Sequence, residues 1–147
     1  MKKLIYISLL LLNQTLFAQS PFFKTHQLGE AHRNAKLELL FEAQNSLLWF
    51  GTSEGLFSYD GLEFVPFSKP DSSSNHVRAI YQDASEKLWI GYQDGSIFFL
   101  EKQHLEKWQP EEGLPKVPIT GFEEDAEGRF WIATYGEGLY FKNGRRL

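Results

Sequence analysis

The chain has 147 residues and not one cysteine. That excludes disulfides, thiolate metal sites, a cysteine nucleophile and a lipidated cysteine, so stability rests on packing and strand pairing. Basic charge is scarce as well: 15 Lys and Arg stand against 19 Asp and Glu, a formal net charge of −4. A mildly acidic chain is a poor binder of nucleic acid or anionic membrane. Long apolar runs are missing too. Residues 4–12 form a short one, far below the roughly 20 residues that a span requires. No run with a helical period follows it. There is no Gly-rich phosphate loop, nucleophile elbow or Walker motif. His26, His32, His76 and His104 match no metal spacing. Asp125-Ala126-Glu127-Gly128 offers too few oxygen ligands for calcium. Glu111-Glu112 and Glu123-Glu124-Asp125 read as solvated loops and strand edges. Neither a metal nor a cofactor is expected.

What the chain does have is aromatic residues: 13 Phe, six Tyr and four Trp. That composition suits strands. At the amino terminus, Lys2 and Lys3 precede the short apolar run, and Leu16-Phe17-Ala18-Gln19 follows a polar stretch. This is the pattern of a secretory signal peptide over residues 1–19, with cleavage expected after Ala18. Its removal takes two lysines and no acid, leaving 13 bases against 19 acids and a charge of −6. The expected location is periplasmic or secreted.

One motif returns three times: Leu48-Trp49-Phe50-Gly51-Thr52, Leu88-Trp89-Ile90-Gly91-Tyr92 and Phe130-Trp131-Ile132-Ala133-Thr134. The tryptophans lie 40 and then 42 residues apart. A fixed period near 40 marks an array of one supersecondary unit. In the first unit, strands are expected over residues 37–41, 47–52, 56–59 and 62–67, with Asp60-Gly61 as a two-residue hairpin signal. The second unit repeats this over 77–82, 88–92, 96–100 and 105–108. The third has 119–123, 130–134 and 139–141, with a further turn at Asn143-Gly144. Four short strands per 40 residues is the arithmetic of a β-propeller blade. Each motif Trp is expected to lie buried between blades, and the Gly two residues on to permit close approach. Asp83 and Asp125, six residues before their Trp, are expected to bond turn backbone, whereas the first unit has Ala43 there.

These residues resemble the two-component regulator propeller repeat: a hydrophobic strand, Asp, a turn with Gly, Leu-Trp-Ile-Gly-Thr, Gly-Leu and Tyr-Asp-Gly. Residues 125–140 and 49–61 fit it best; the second unit departs most, with Tyr92, Ser96 and Leu100-Glu101. The resemblance implies the amino-terminal periplasmic part of a Bacteroidetes-type hybrid or sensor histidine kinase, detecting glycan fragments or other environmental ligands.

The expected architecture is all-β: a signal-peptide helix, then a partial propeller over 20–147 in an open arc of about three four-stranded antiparallel blades. Blade 1 covers about 37–75, blade 2 about 76–116 and blade 3, incomplete, about 117–147. Residues 22–27 look like an orphan outer strand. Blade 3 is expected to expose inter-blade surface, to be met by remaining blades or by a second copy. The expected function is non-catalytic sensing. Candidate ligand contacts are the loop tips after each Trp strand: Ser53, Glu54, Tyr92, Gln93, Asp94, Tyr135 and Glu137. Tyr92 and Tyr135 could stack on a sugar face and the carboxylates could accept hydroxyl hydrogen bonds. The alternatives are a self-assembling lectin or part of a propeller enzyme such as a polysaccharide or antibiotic lyase. Clustering of His76 or His104 with Arg78 would favour the enzyme.

Overall fold

A computed structural model of the chain describes residues 24–71, 73–110, 113–114 and 116–142. The leader, Phe22 and Phe23, Glu111 and Glu112, and the Asn143-Gly144 turn lie outside the described residues.

Eleven strands are described, in three antiparallel sheets. Blade 1 is β1 (Leu37–Glu42), β2 (Leu48–Thr52), β3 (Leu56–Tyr59) and β4 (Phe64–Phe67), paired in that order. Blade 2 is β5 (Val77–Gln82), β6 (Leu88–Tyr92), β7 (Ile97–Glu101) and β8 (His104–Lys107). Blade 3 is β9 (Ile119–Glu124), β10 (Phe130–Thr134) and β11 (Gly138–Lys142). The one helical element among the described residues is a 3-10 turn, Glu30–His32. The first strands β1, β5 and β9 lie against one another in succession. They form the inner side of the arc, with the later strands of each blade outside.

The blades are joined by apolar seams. Blade 1 contributes Trp49, Leu39 and Phe41, and blade 2 meets them with Leu88, Ile90, Tyr92, Phe98 and Leu105. Blade 2 contributes Ala79, Trp89 and Ile97 to the next seam, against Ile119, Phe130 and Ile132 of blade 3. Alternation along each strand sends Trp to one face and its neighbours to the other, so every blade is apolar on both sides. The motif glycines allow the blades to close up. A Cβ on Gly91 would sit 2.5 Å from Ile119, and one on Gly51 would sit 2.8 Å from both Leu39 and Val77.

Trp49 and Trp89 are buried in these seams as expected, but Trp131 is only half-buried. No described blade covers its outer face, and its ring lies beside Phe141, centroids 4.9 Å apart. Two further expectations change. The fourth strand of blade 1 starts at Phe64, not Leu62. Asp60 Oδ1 accepts from both Leu62 N and Glu63 N, which widens the turn and leaves Leu62 exposed. The orphan strand over 22–27 is not one where it is described: residues 24–29 belong to no strand. They begin a strap across the outer face of blade 1. There the His26 ring meets Tyr59 edge-on and the His32 ring meets Phe57.

Candidate functional site

The motif Trp is pinned by the turn before its strand. Asp83 Oδ1 accepts from Ser85 N and Lys87 N, and Asp83 Oδ2 accepts from Trp89 Nε1 at 2.8 Å. Asp125 does the same with Glu127 N, Arg129 N and Trp131 Nε1, the last at 2.6 Å. Burial alone would raise the Asp83 carboxyl, but the hydrogen bonds from Ser85, Trp89 and Lys87 outweigh it and hold it below the ordinary carboxylate range. These aspartates are structural. At this end of the arc, Gln44 N donates to Gln82 Oε1 and Ala84 N to Glu124 Oε2, tying each turn to the next blade.

The opposite end holds the loops after each Trp strand. Three equivalent backbone bonds fix them: Ser53 N to Lys36 O at 3.0 Å, Gln93 N to His76 O at 2.9 Å, and Tyr135 N to Pro118 O at 2.9 Å. Each ties a loop tip to the residue that leads into the inner strand of its own blade. All three tips therefore share one end with the links between blades.

The candidate residues fare differently there. Ser53 Oγ accepts from Lys36 N, and Glu54 Oε2 lies 3.1 Å from His32 Nδ1 on the strap. Gln93, Tyr135 and Glu137 are exposed, and Glu137 Oε2 accepts from the Tyr140 hydroxyl at 2.9 Å. Asp94 Oδ1 accepts from Ser96 N, and its Oδ2 lies 3.2 Å from Lys69 Nζ. Tyr92 must be withdrawn as a stacking platform, because only 1% of its surface is exposed. It packs edge-on to Phe98 and is capped by the Lys69 ammonium, 4.4 Å from the ring centroid.

Lys69 was not legible in the sequence as part of this end. Its side chain is 1% exposed, and besides Asp94 its ammonium reaches Ser73 Oγ, Ser74 O, Ser96 Oγ and Asp71 Oδ1. The link between blades 1 and 2 is thereby fastened onto the blade 2 loop. The Ser73 hydrogen bond is the main influence on Asp71; it outweighs burial and, with Lys107 and Lys69, holds that carboxyl well below its ordinary range.

A second group lies beside the loops. Arg78 Nη1 donates to Glu38 Oε2 at 3.2 Å, and His76 Nε2 lies 3.0 Å from Glu38 Oε1. His76 and Arg78 thus do cluster, through Glu38, whereas His104 stands exposed on the outer strand β8. Two clefts lie elsewhere among the described residues. One of about 480 Å³ lies between the strap and blade 1, lined by Leu28, Arg33 and Phe50 among others. One of about 440 Å³ lies between the turns at the far end, lined by Gln82, Asp83, Glu124 and Asp125 among others. Among the described residues, no three His, Asp or Glu side chains gather as a metal site, and no helix is long and apolar enough to cross a membrane.

The sequence model of the two component regulator propeller family matches residues 71–94 and 113–136, the motif cores of blades 2 and 3. Those two segments are similar to two-component regulator propeller repeats. Solved structures similar to this propeller arc come from B. thetaiotaomicron. One, BT3049, is described as the extracellular domain of a hybrid two-component system; it is 25% identical over 88% of this chain, with a TM-score of 0.67. Another, the extracellular domain of BT4673, is 22% identical over 74% of the chain, with a TM-score of 0.62. The chain spans only 19% and 17% of those two domains. A computationally designed protein, Ika4, shares the fold at 12% identity and a TM-score of 0.51, over 71% of this chain and 63% of its own. No curated protein matches the sequence.

Proposed function

We propose that this propeller arc is part of the exported sensing region of a two-component signalling protein, and that it binds ligand without transforming it. The end bearing the loops at 53–54, 93–94 and 135–137 receives the ligand, a glycan fragment or another small polar molecule. One observation carries the reading. Three equivalent backbone bonds bring polar tips from three successive blades to one end of the repeat array, with Gln93 and the 135–137 tip exposed there. The BT3049 and BT4673 domains, described as extracellular, support export, and so does the leader pattern at residues 1–19. Blade 3 presents Leu139, Tyr140 and Phe141 uncovered, and blade 1 presents Leu37 and Leu40. Further blades, in a longer chain or a second copy, cover these faces.

The test is a thermal-shift screen of the exported protein against glycan fragments. A ligand is expected to raise Tm in the wild type and not in the triple variant Glu54→Ala, Gln93→Ala, Glu137→Ala. Equal shifts in both would move the site away from these loops.

The meeting of His76, Glu38 and Arg78 favours a second reading, a propeller enzyme. It predicts consumption of a glycan by the wild type and no consumption by His76→Ala.

A further inference from the structure

The inner strand of every blade carries the same irregularity. On β1 the pairing runs Leu37 with Thr52 and then Leu39 with Gly51, leaving Glu38 as an extra residue. On β5 it runs Val77 with Tyr92 and then Ala79 with Gly91, leaving Arg78. On β9 it runs Ile119 with Thr134 and then Gly121 with Ala133, leaving Thr120. A bulge takes one residue out of the ladder and re-aims its side chain, and bulges concentrate at rims and beside active sites. Here the three extra residues are equivalent positions of the repeat, all polar, on strands that lie against one another. Inner strands of a propeller surround its central channel.

The bulges also lie at the loop end of the arc. Glu38 is two residues past Lys36 and Arg78 two past His76, the residues whose carbonyls hold the loop tips at Ser53 and Gln93. If bulges only adjusted twist, any strand-forming residue would serve. Instead Glu38 and Arg78 are bonded across the blade boundary at 3.2 Å, and His76 Nε2 lies 3.0 Å from the other carboxylate oxygen without hydrogen-bond geometry. One oxygen of Glu38 thus holds the guanidinium and the other faces the His76 ring. The guanidinium has five N–H donors, and its buried Nε has no hydrogen-bond acceptor among the described residues. The side chain as a whole is still 36% exposed. Donors therefore exceed acceptors in this cluster, and the Thr120 hydroxyl stands at the equivalent place on β9.

We propose that the bulge residues form a binding site for an oxyanion carried by the ligand: a carboxylate, sulfate or phosphate group. Arg78 is its principal donor, because a planar guanidinium fork matches such groups in a way a hydroxyl cannot. His76 and Thr120 flank it. Glu38 is the internal counter-charge that holds the guanidinium in place and competes with the incoming anion. The assignment rests on the reading that this end of the arc faces ligand.

The competition gives a signed test. The exported full chain, labelled with 15N, is titrated with sodium sulfate, phosphate and acetate, each against chloride at equal ionic strength. The Arg78 Nε–H and His76 ring resonances are followed by NMR. Saturable shifts with at least one oxyanion and none with chloride are expected, and the three salts tell the oxyanions apart. Glu38→Gln, which keeps the shape and removes the charge, is expected to bind about tenfold more tightly, as loss of a carboxylate at ion-pair range implies. Arg78→Gln is expected to abolish the response; if it does not fold, the wild type and Glu38→Gln decide. Chloride acting like the oxyanions, or Glu38→Gln binding no better, overturns the site. A glycan that raises Tm while these resonances stay still also overturns it, and leaves the sensing proposal standing. Oxyanion binding with no glycan response strikes the sensing proposal alone.

Discussion

Asp83 shows how much one side chain can organise. Its two oxygens hold the turn backbone with one and the seam tryptophan with the other. Trp89 is fully buried, so removing the carboxylate strands an indole N–H away from water. Asp83→Ala is expected to lose about 3 kcal/mol, the upper range for an orphaned buried donor. Asp125→Ala makes the same change beside a half-buried Trp131, where water can replace the lost acceptor, and the loss should be smaller. Chemical denaturation of the two variants checks the order; equal losses would mean that the indole bond contributes nothing beyond the turn. The turn half of this arrangement was legible in the sequence from the Asp-to-Trp spacing. The indole bond was not, because spacing gives no side-chain direction. Tyr92 was misread for a different reason. It follows the motif Gly, where the other units have Thr, and so looked like a loop residue. Yet Leu88, Ile90 and Tyr92 alternate along β6 on one face, which places the ring in the seam.

At the scale of elements, ten of the eleven described strands begin and end within one residue of their expectation, because the repeat states each strand several times over. Departures occur where one side chain overrides the pattern, as Asp60 does in delaying β4. The bulges at Glu38, Arg78 and Thr120 left no trace in the sequence, since a bulge is a property of pairing and an acid, a base and a hydroxyl residue share polarity but no recognisable motif. The strap over blade 1 was invisible for a similar reason: His26 and His32 reach aromatic partners from a segment without periodicity. Close approach of the blades is the element-level property most open to test. Gly91→Ala places a methyl 2.5 Å from Ile119 in a filled seam. Overpacking of this kind costs about 1–3 kcal/mol. A thermal melt of Gly91→Ala at wild-type Tm would show that the seam yields freely and that the glycine serves another purpose.

For the whole molecule, exposed apolar surface follows the repeat. The large exposed hydrophobic side chains lie on the two end blades: Leu37, Leu40, Leu62 and Val65 on blade 1, and Tyr135, Leu139, Tyr140 and Phe141 on blade 3. The middle blade, covered on both faces, has none among the described residues. Stability should also depend on acid in a definite direction. Asp71, Asp83, Asp94 and Asp125 all titrate below their ordinary range in the folded chain. Groups of this kind favour the folded state fully above the unfolded carboxylate value, about 3.9. The contribution is lost as pH falls from there through the folded values. Tm is therefore expected to hold level from about pH 8 to pH 5 and to fall below about pH 4. Circular dichroism melts across that range check it, and a Tm that rises on acidification would contradict the assignment of these carboxylates.

The central claim is that the loop end of this propeller arc binds a ligand and leaves it chemically intact. The most direct measurement is the mass of the ligand recovered after long incubation with the exported protein, for a ligand already shown to raise its Tm. The account predicts full recovery at unchanged mass, with the Tm shift lost in the triple loop variant. Recovery of a cleaved or eliminated product from the wild type but not from His76→Ala would contradict it and make the cluster around Glu38 an active site.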